Sequence, residues 1–275
     1  MTRLTLRFDL RTPPFACCPD DYYRTALDMA EWADAHGFSE CMVSEHHGEE
    51  DGYLPSPLVM AAAIAARTRR MRIRISALIL PLHDPLRIAE DVAVLDRLSG
   101  GRIELVCVAG FRPGEFAQFD KPFAARIKLL EHGIATLKQA WSGEPFTYRG
   151  AQGSNHSPPA PAPHPPLLLG GSSPQAARRA ARIADGFVPA VPELYPIYHE
   201  PVRPSASLPR SNAIRVRPPQ YSCLPIPPLH GRASPRMHCT RPIPMRAGTR
   251  KPAQSAPISR SRRPKRCANP VSTRC

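Results

Sequence analysis

Along residues 3–10, Leu4, Leu6, Phe8 and Leu10 occupy alternate positions, the period-2 pattern of a strand with one buried face. Asp20 then offers a helix N-cap. Tyr23, Leu27, Ala30 and Ala33 follow at helical spacing until Gly37. Cys41-Met42-Val43 reads as a second strand, ending at Ser44-Glu45-His46-His47. Ser56-Pro57 opens a second helix, where a first-turn proline loses no useful N–H. The same cycle continues through a long apolar strand at 73–80, a helix from Asp84-Pro85 to Ser99-Gly100-Gly101, and a fourth strand at 103–108. Phe123, Ile127, Leu130, Ile134, Leu137 and Trp141 form one continuous helical face. A fifth strand at 167–169, a helix at 174–184 and a short sixth strand at Phe187-Val188 complete the series. Strands alternating with helices predict an α/β fold with parallel pairing through right-handed crossovers.

Two stretches interrupt the cycle. Residues 143–166 show little periodicity, and six of the ten residues from 157 to 166 are Pro, a composition that favours extended polyproline II. This connection reads as an excursion over a barrel rim or as a substrate lid. From about residue 201 the alternation stops altogether. Residues 201–275 contain fifteen Pro and sixteen Lys/Arg, and no Asp or Glu. Residues 1–200 therefore carry 21 basic against 23 acidic side chains, and the net charge of +14 belongs to the tail. Such a composition cannot bury enough apolar surface to offset chain entropy, so 201–275 is expected to be disordered.

The composition narrows the classes. No apolar run approaches the roughly 18 residues that span a bilayer, and the first ten residues lack the compact apolar region of a signal peptide. The eight cysteines form no C-x-x-C pair, so a cytoplasmic location is expected, without disulfide or zinc framework.

Three clusters carry candidate chemistry. Glu45-His46-His47 closes the second strand at the end where βα loops build active sites. A histidine there can move protons near neutral pH, with the neighbouring carboxylate orienting it. No metal is expected, because adjacent histidines in a strand point to opposite faces and no third ligand stands out. Gly170-Gly171-Ser172-Ser173-Pro174 joins a strand to a helix. Its glycines permit close backbone approach, and its helix N-terminus offers free N–H groups to a phosphate; ordinary capping explains the same residues. Gly110, Glu115, Phe116, Phe119 and Arg126 follow the fourth strand. Spacing leaves open whether Glu115 and Arg126 form a surface pair or line a pocket. The tail's Arg260–Arg266 run would bind polyanions such as nucleic acid in a salt-dependent, nonspecific way.

Taken together these stretches resemble the luciferase-like flavin-dependent monooxygenases and oxidoreductases. The resemblance rests on Ser44-Glu45-His46-His47, on Leu80-Pro81-Leu82-His83-Asp84-Pro85 with Leu86-Arg87-Ile88-Ala89-Glu90-Asp91, and on Leu95-Asp96-Arg97-Leu98-Ser99-Gly100-Gly101-Arg102. It rests also on Glu115-Phe116 with Phe119 and Arg126, on Leu169 to Pro174, and on Arg178 to Phe187. It covers about residues 3–200 and implies a TIM-type (β/α)8 barrel with FMN or a deazaflavin at the strands' C-terminal ends. It implies His46 as a catalytic residue and Ser76, Ala77, Gly170, Gly171, Ser172 and Ser173 as cofactor-binding; Glu45 beside the histidine is expected to share the catalytic role, and Gly110 to join the cofactor-binding set. Ser76-Ala77 matches a place where the family often has a bulge with a non-prolyl cis peptide. Luciferase-branch members place an arginine against the phosphate where Ala109 stands here, which leaves a deazaflavin open beside FMN. A small-molecule substrate, a separate flavin reductase and dimers are further implications.

Members of the family continue with strands seven and eight, whereas here the pattern breaks near residue 201, as a shifted reading frame of GC-rich DNA would look. The expected organisation is an incomplete barrel over 1–200, truncated after strand six, and a disordered basic tail over 201–275. The competing readings are a polyanion-binding protein working through that tail and a truncated product without function.

Overall fold

The computed structural model describes residues 3–13, 19–153 and 164–200. The expected tail disorder, its basic run, Cys17, Cys18 and most of the proline-rich segment lie outside the described residues. In chain order the elements are β1 (Thr5–Phe8), α1 (Pro19–Ala35), β2 (Glu40–Val43), α2 (Pro57–Arg67), β3 (Arg72–Leu78), α3 (Pro85–Ser99), β4 (Ile103–Cys107) and α4 (Pro113–Gln118). Then come α5 (Arg126–Trp141), β5 (Phe146–Tyr148), β6 (Ala151–Gly153), β7 (Leu167–Gly171), α6 (Pro174–Ile183), β8 (Gly186–Pro189) and α7 (Tyr195–Tyr198). Short 3-10 turns stand at Leu80–Leu82, Phe123–Ala125 and Pro192–Leu194.

Six strands form one parallel sheet in the order β1-β2-β3-β4-β7-β8. All six strands expected from the hydrophobic pattern are present, and the fold is the α/β type of TIM-barrel enzymes. Among the described residues the sheet runs from an edge at β1 to an edge at β8. Parallel strands covered by helices are buried on both faces. β4 accordingly is buried at every position, and Ile73 and Ile75 of β3 are fully buried.

Local chemistry sets the element ends. The Asp84 carboxylate caps α3 by accepting from Leu86 N at 3.0 Å and Arg87 N at 3.3 Å, with Pro85 in the first turn. Gly100 ends that helix at φ 71°, the left-handed conformation in which glycine carries no Cβ penalty. Ser56 stands at the N-cap of α2 as expected, but its hydroxyl makes no capping bond.

The described part of the connection over 143–166 shows one element that the sequence pattern did not indicate. It holds an antiparallel hairpin, β5 with β6, in which Tyr148 opposes Ala151 across the two-residue turn Arg149-Gly150. Both turn residues have positive φ (49° and 78°), which matches the right-handed strand twist of a type I′ hairpin. The hairpin is tied to the cap of α3, since Tyr148 Oη donates to the Asp84 carboxylate at 3.2 Å and Arg149 pairs with Asp84 at 2.9 Å. The third strand also ends earlier than its apolar run, because the chain turns into the Leu80–Leu82 3-10 helix.

Candidate functional site

The C-terminal ends of β2, β3, β4 and β7 face the same side, as parallel strands must, and the loops after them carry the candidate residues. Past β2, Ser44 is buried with its hydroxyl 2.5 Å from Tyr53 Oη. His46 N donates to Leu54 O, and Leu54 N in turn donates to Asp9 O beyond β1. The backbone carrying the histidines is thus held from both sides.

His46 Nδ1 lies 2.8 Å from Glu115 Oε1. Glu115 reaches it from the first turn of α4, and the same oxygen accepts His47 N at 3.1 Å. The other oxygen, Oε2, is buried with no hydrogen-bond partner. A proton shared between Nδ1 and Glu115 leaves Nε2 as the open acceptor of the ring. The rings of Tyr53 and Phe111 stand edge-on to His46, with centroids 4.8 and 5.8 Å away, and Phe111 is 70% exposed.

Glu45, expected to orient His46, does something else. Its side chain is fully buried, and Oε1 meets His47 Nε2 at 2.9 Å and His83 Nε2 at 2.6 Å. Oε2 accepts Ile79 N at 2.5 Å. Burial alone would raise this carboxyl. The hydrogen bonds from His47 and His83, the His83 charge and the Ile79 N–H outweigh it and bring the group down to about 2. Glu45 is therefore a carboxylate that joins the loop after β2 to the loop after β3. The residue that orients His46 is Glu115, which spacing had left open between a surface pair and a pocket. Arg126 takes no part in it: its guanidinium donates to Phe123 O and stacks 4.2 Å from the Phe123 ring.

The Ser76–Ala77 peptide is cis, and the register of β3 against β4 shifts between Ser76 and Leu78. Both residues are half-buried at the strand end. Gly110 has φ 75°, and a Cβ there would meet Ile79 Cγ2 and the Phe116 ring at 2.8 Å, so the turn after β4 has no space for a side chain. A Cβ at Gly171 would lie 2.4 Å from Ala176 Cβ, and one at Gly170 would lie 2.7 Å from Val108 Cγ1. The absence of a Cβ at these two glycines permits close helix–strand and strand–strand packing. Ser173 Oγ accepts Ala176 N at 3.2 Å as the cap of α6, while Ser172 is exposed beside it.

The structure thus brings His46, Ser76, Ala77, Gly110, Gly170, Gly171, Ser172 and Ser173 to one end of the sheet. A sequence-family model described as luciferase-like monooxygenase matches residues 7–200. The chain belongs to this family. The chain is 40% identical over 89 residues to a 4-hydroxyprotoasukamycin monooxygenase of Streptomyces nodosus subsp. asukaensis, covering 32% of this chain and 24% of that protein. It is 30% identical over 185 residues to an F420-dependent glucose-6-phosphate dehydrogenase of Nakamurella multipartita, covering 61% of this chain and 53% of that protein. Among solved structures, the monooxygenase RslO1 from Streptomyces bottropensis superposes with a TM-score of 0.65 at 27% identity, over 72% of this chain and 64% of that one. The chain spans about half the length, or less, of these curated relatives. No described helix is long and apolar enough to cross a membrane.

The luciferase-like assignment implies a flavin-type cofactor, and the strand ends fit one. The half-buried Ser76, Ala77, Gly110, Gly170 and Gly171 lie at the same end of the sheet as His46, and the orphaned Glu115 Oε2 has room in its chemistry for one more donor.

Proposed function

We propose that this chain is a flavin- or deazaflavin-dependent oxidoreductase or monooxygenase acting on a small organic substrate. The observation that carries the reading is the His46–Glu115 pair. An imidazole is held through Nδ1 past the C-terminal end of β2, its side chain 20% exposed, and the neighbouring strand β3 ends with the cis Ser76–Ala77 peptide. The relative named as F420-dependent and the relatives named as monooxygenases favour this pair of cofactor classes. FMN or a deazaflavin such as F420 would supply the redox chemistry when bound.

The protein's own residues do the rest. Ser76, Ala77 and Gly110 would hold the cofactor's ring system through their backbone. Ser172 and the N-terminal turn of α6 would hold its phosphate, since free N–H groups favour negative charge. His46 Nε2 takes or gives a proton at the reacting carbon or oxygen, and Glu115 fixes the ring and stabilises its charged form. Phe111 and Tyr53 keep water from the imidazole and offer apolar surface to an organic substrate. Glu45 acts one step back, by holding His47, His83 and the Ile79 backbone.

The test pairs binding with turnover. Fluorescence titration of the full chain with FMN and with F420 should show saturable binding of one of them. His46→Ala should leave that affinity within about threefold, while turnover on a panel of small alcohols, aldehydes and ketones falls by roughly 10²-fold or more. Equal turnover in the variant would remove His46 from the chemistry, and no binding of either cofactor would remove the function.

A further inference from the structure

We propose that Glu45, His47 and His83 form a binding site for a divalent first-row transition metal. Their ligating atoms all lie within 4.8 Å of one another, the one such group of three among the described residues. Two imidazole nitrogens and one carboxylate are a donor set that zinc and iron(II) take in proteins, whereas magnesium and calcium prefer oxygen alone. The inference is independent of the flavin reading, because its test is metal binding and not turnover.

The backbone already holds the three ligands in place. Glu45 and His47 are two apart in the loop past β2, and their side chains meet at 2.9 Å. The third comes from the turn after β3, where His83 N donates to Leu80 O at 3.1 Å. Glu45 Oε2 is fixed by Ile79 N, His47 N by Glu115 Oε1, and the His47 ring lies edge-on to Phe119 with centroids 4.5 Å apart. Such outer contacts are what orient metal-binding side chains.

The spacing is close to that of a filled site. A tetrahedral ion with bonds near 2.0–2.1 Å separates its ligand atoms by about 3.3 Å. Here Glu45 Oε1 is 2.9 Å from His47 Nε2 and 2.6 Å from His83 Nε2. Opening these contacts by less than about 1 Å admits the ion, and each imidazole then presents a lone pair where it now shares a proton with the carboxylate. Burial falls off in one direction. The Glu45 side chain is fully buried and that of His83 is 24% exposed, so solvent reaches the group from the His83 side and a fourth position is open to water or a substrate atom.

The chelator-treated full chain titrated with Co2+ should bind one ion at this site and develop visible d–d bands without sulfur-to-cobalt charge transfer. That last feature separates the site from Cys223, Cys239, Cys267 and Cys275 of the tail. His83→Asn keeps an N–H for Glu45 but removes the ligating nitrogen. It should retain the circular-dichroism melt of the parent and weaken Co2+ by more than the roughly tenfold to hundredfold that losing an outer partner costs. His47→Ala should do the same, and His46→Ala should bind as the parent does. Absence of binding, binding through thiolate only, or undiminished binding by His83→Asn would each overturn the proposal and leave the cluster a hydrogen-bonded tie between two loops.

Discussion

The two ends of the parallel sheet use buried polar groups in opposite ways. At the N-terminal end they bind mainly to the main chain. The Asp34 carboxylate takes the N–H groups of Arg69, Arg70 and Met71 at 2.8, 3.0 and 2.6 Å. The Arg102 guanidinium donates to the carbonyls of Ser99, Met71, Ala65 and Thr68 and to the Thr68 hydroxyl. Between them, inside the sheet, Arg74 pairs with Glu40 and Glu104. At the C-terminal end side-chain pairs, His46 with Glu115 and Glu45 with His47 and His83, stand beside the main-chain bonds from Ile79 N and His47 N and tie loops after different strands together. Bonds to the main chain fix the path of the backbone and leave nothing reactive. Bonds between titratable side chains leave lone pairs and protons available, which is what chemistry needs. The N-terminal end is not free of loose atoms, for Glu40 Oε1 is buried without a partner, and burial pushes that carboxyl up against the pull of Arg74.

If that division is correct, the largest loss of stability should come from the N-terminal end. Arg102→Ala strands four carbonyls in a partly buried setting and removes charge-assisted bonds worth about 1.5–3 kcal/mol for the better-placed ones. We expect a loss of about 3 kcal/mol in the unfolding free energy from urea denaturation, with turnover per folded molecule unchanged. An unfolding free energy within about 0.5 kcal/mol of the parent would show that water replaces the guanidinium and that this end is no more structural than the other.

Asp34→Asn should cost less, about 1–2 kcal/mol at neutral pH, since the amide oxygen still accepts some of the N–H groups. Its pH dependence sharpens the comparison. Burial would raise the Asp34 carboxyl, but the N–H groups of Arg69, Met71 and Arg70 and the Arg70 charge hold it below its ordinary value. A depressed folded-state value gives stability that is fully present above the unfolded value of about 3.9 and is lost as pH falls through the folded one. The parent should therefore lose stability below pH ~4 that Asp34→Asn never had, and the two urea midpoints should converge there. Midpoints that stay parallel from pH 7 to pH 3 would show that Asp34 does not contribute to acid sensitivity.

The two ends also differed in how far the sequence revealed them. Ile73, Ile75, Ile103 and Leu105 mark β3 and β4 although the buried Arg74 and Glu104 interrupt their apolar runs, and Asp84-Pro85 and Gly100 mark helix α3 by chemistry that acts within a few residues. His46 was legible from its place at a strand end. Its partner was not: Glu115 lies 69 residues away, and no local spacing encodes a contact made by folding. His83 lies 38 residues from Glu45, so no local spacing joins the third member of that cluster to Glu45 and His47, which stand together in the chain. The hairpin β5–β6 was missed for another reason. Its strands are three residues each, and its turn uses Arg149-Gly150 in place of the Asn-Gly or Asp-Gly pairs that usually announce a type I′ turn. Six-residue α4 is likewise shorter than the window in which helical periodicity can be read.

The smallest effect on stability should come from the site itself. Glu115→Gln preserves the size of the side chain and one oxygen to face His46 Nδ1 and His47 N, and it removes a buried charge whose second oxygen has no partner. Removing a carboxylate whose second oxygen has no partner offsets the weaker hydrogen bonds, so the unfolding free energy from urea denaturation should stay within about 1 kcal/mol of the parent. Turnover should behave differently, because a neutral amide no longer stabilises the charged imidazole when His46 takes a proton. We expect a fall of at least about tenfold, with cofactor affinity little changed. A variant that loses several kcal/mol of stability yet turns over normally would place Glu115 with Asp34 and Arg102 among the groups that hold the backbone. The division between the two ends of the sheet would then fail at the residue on which it most depends.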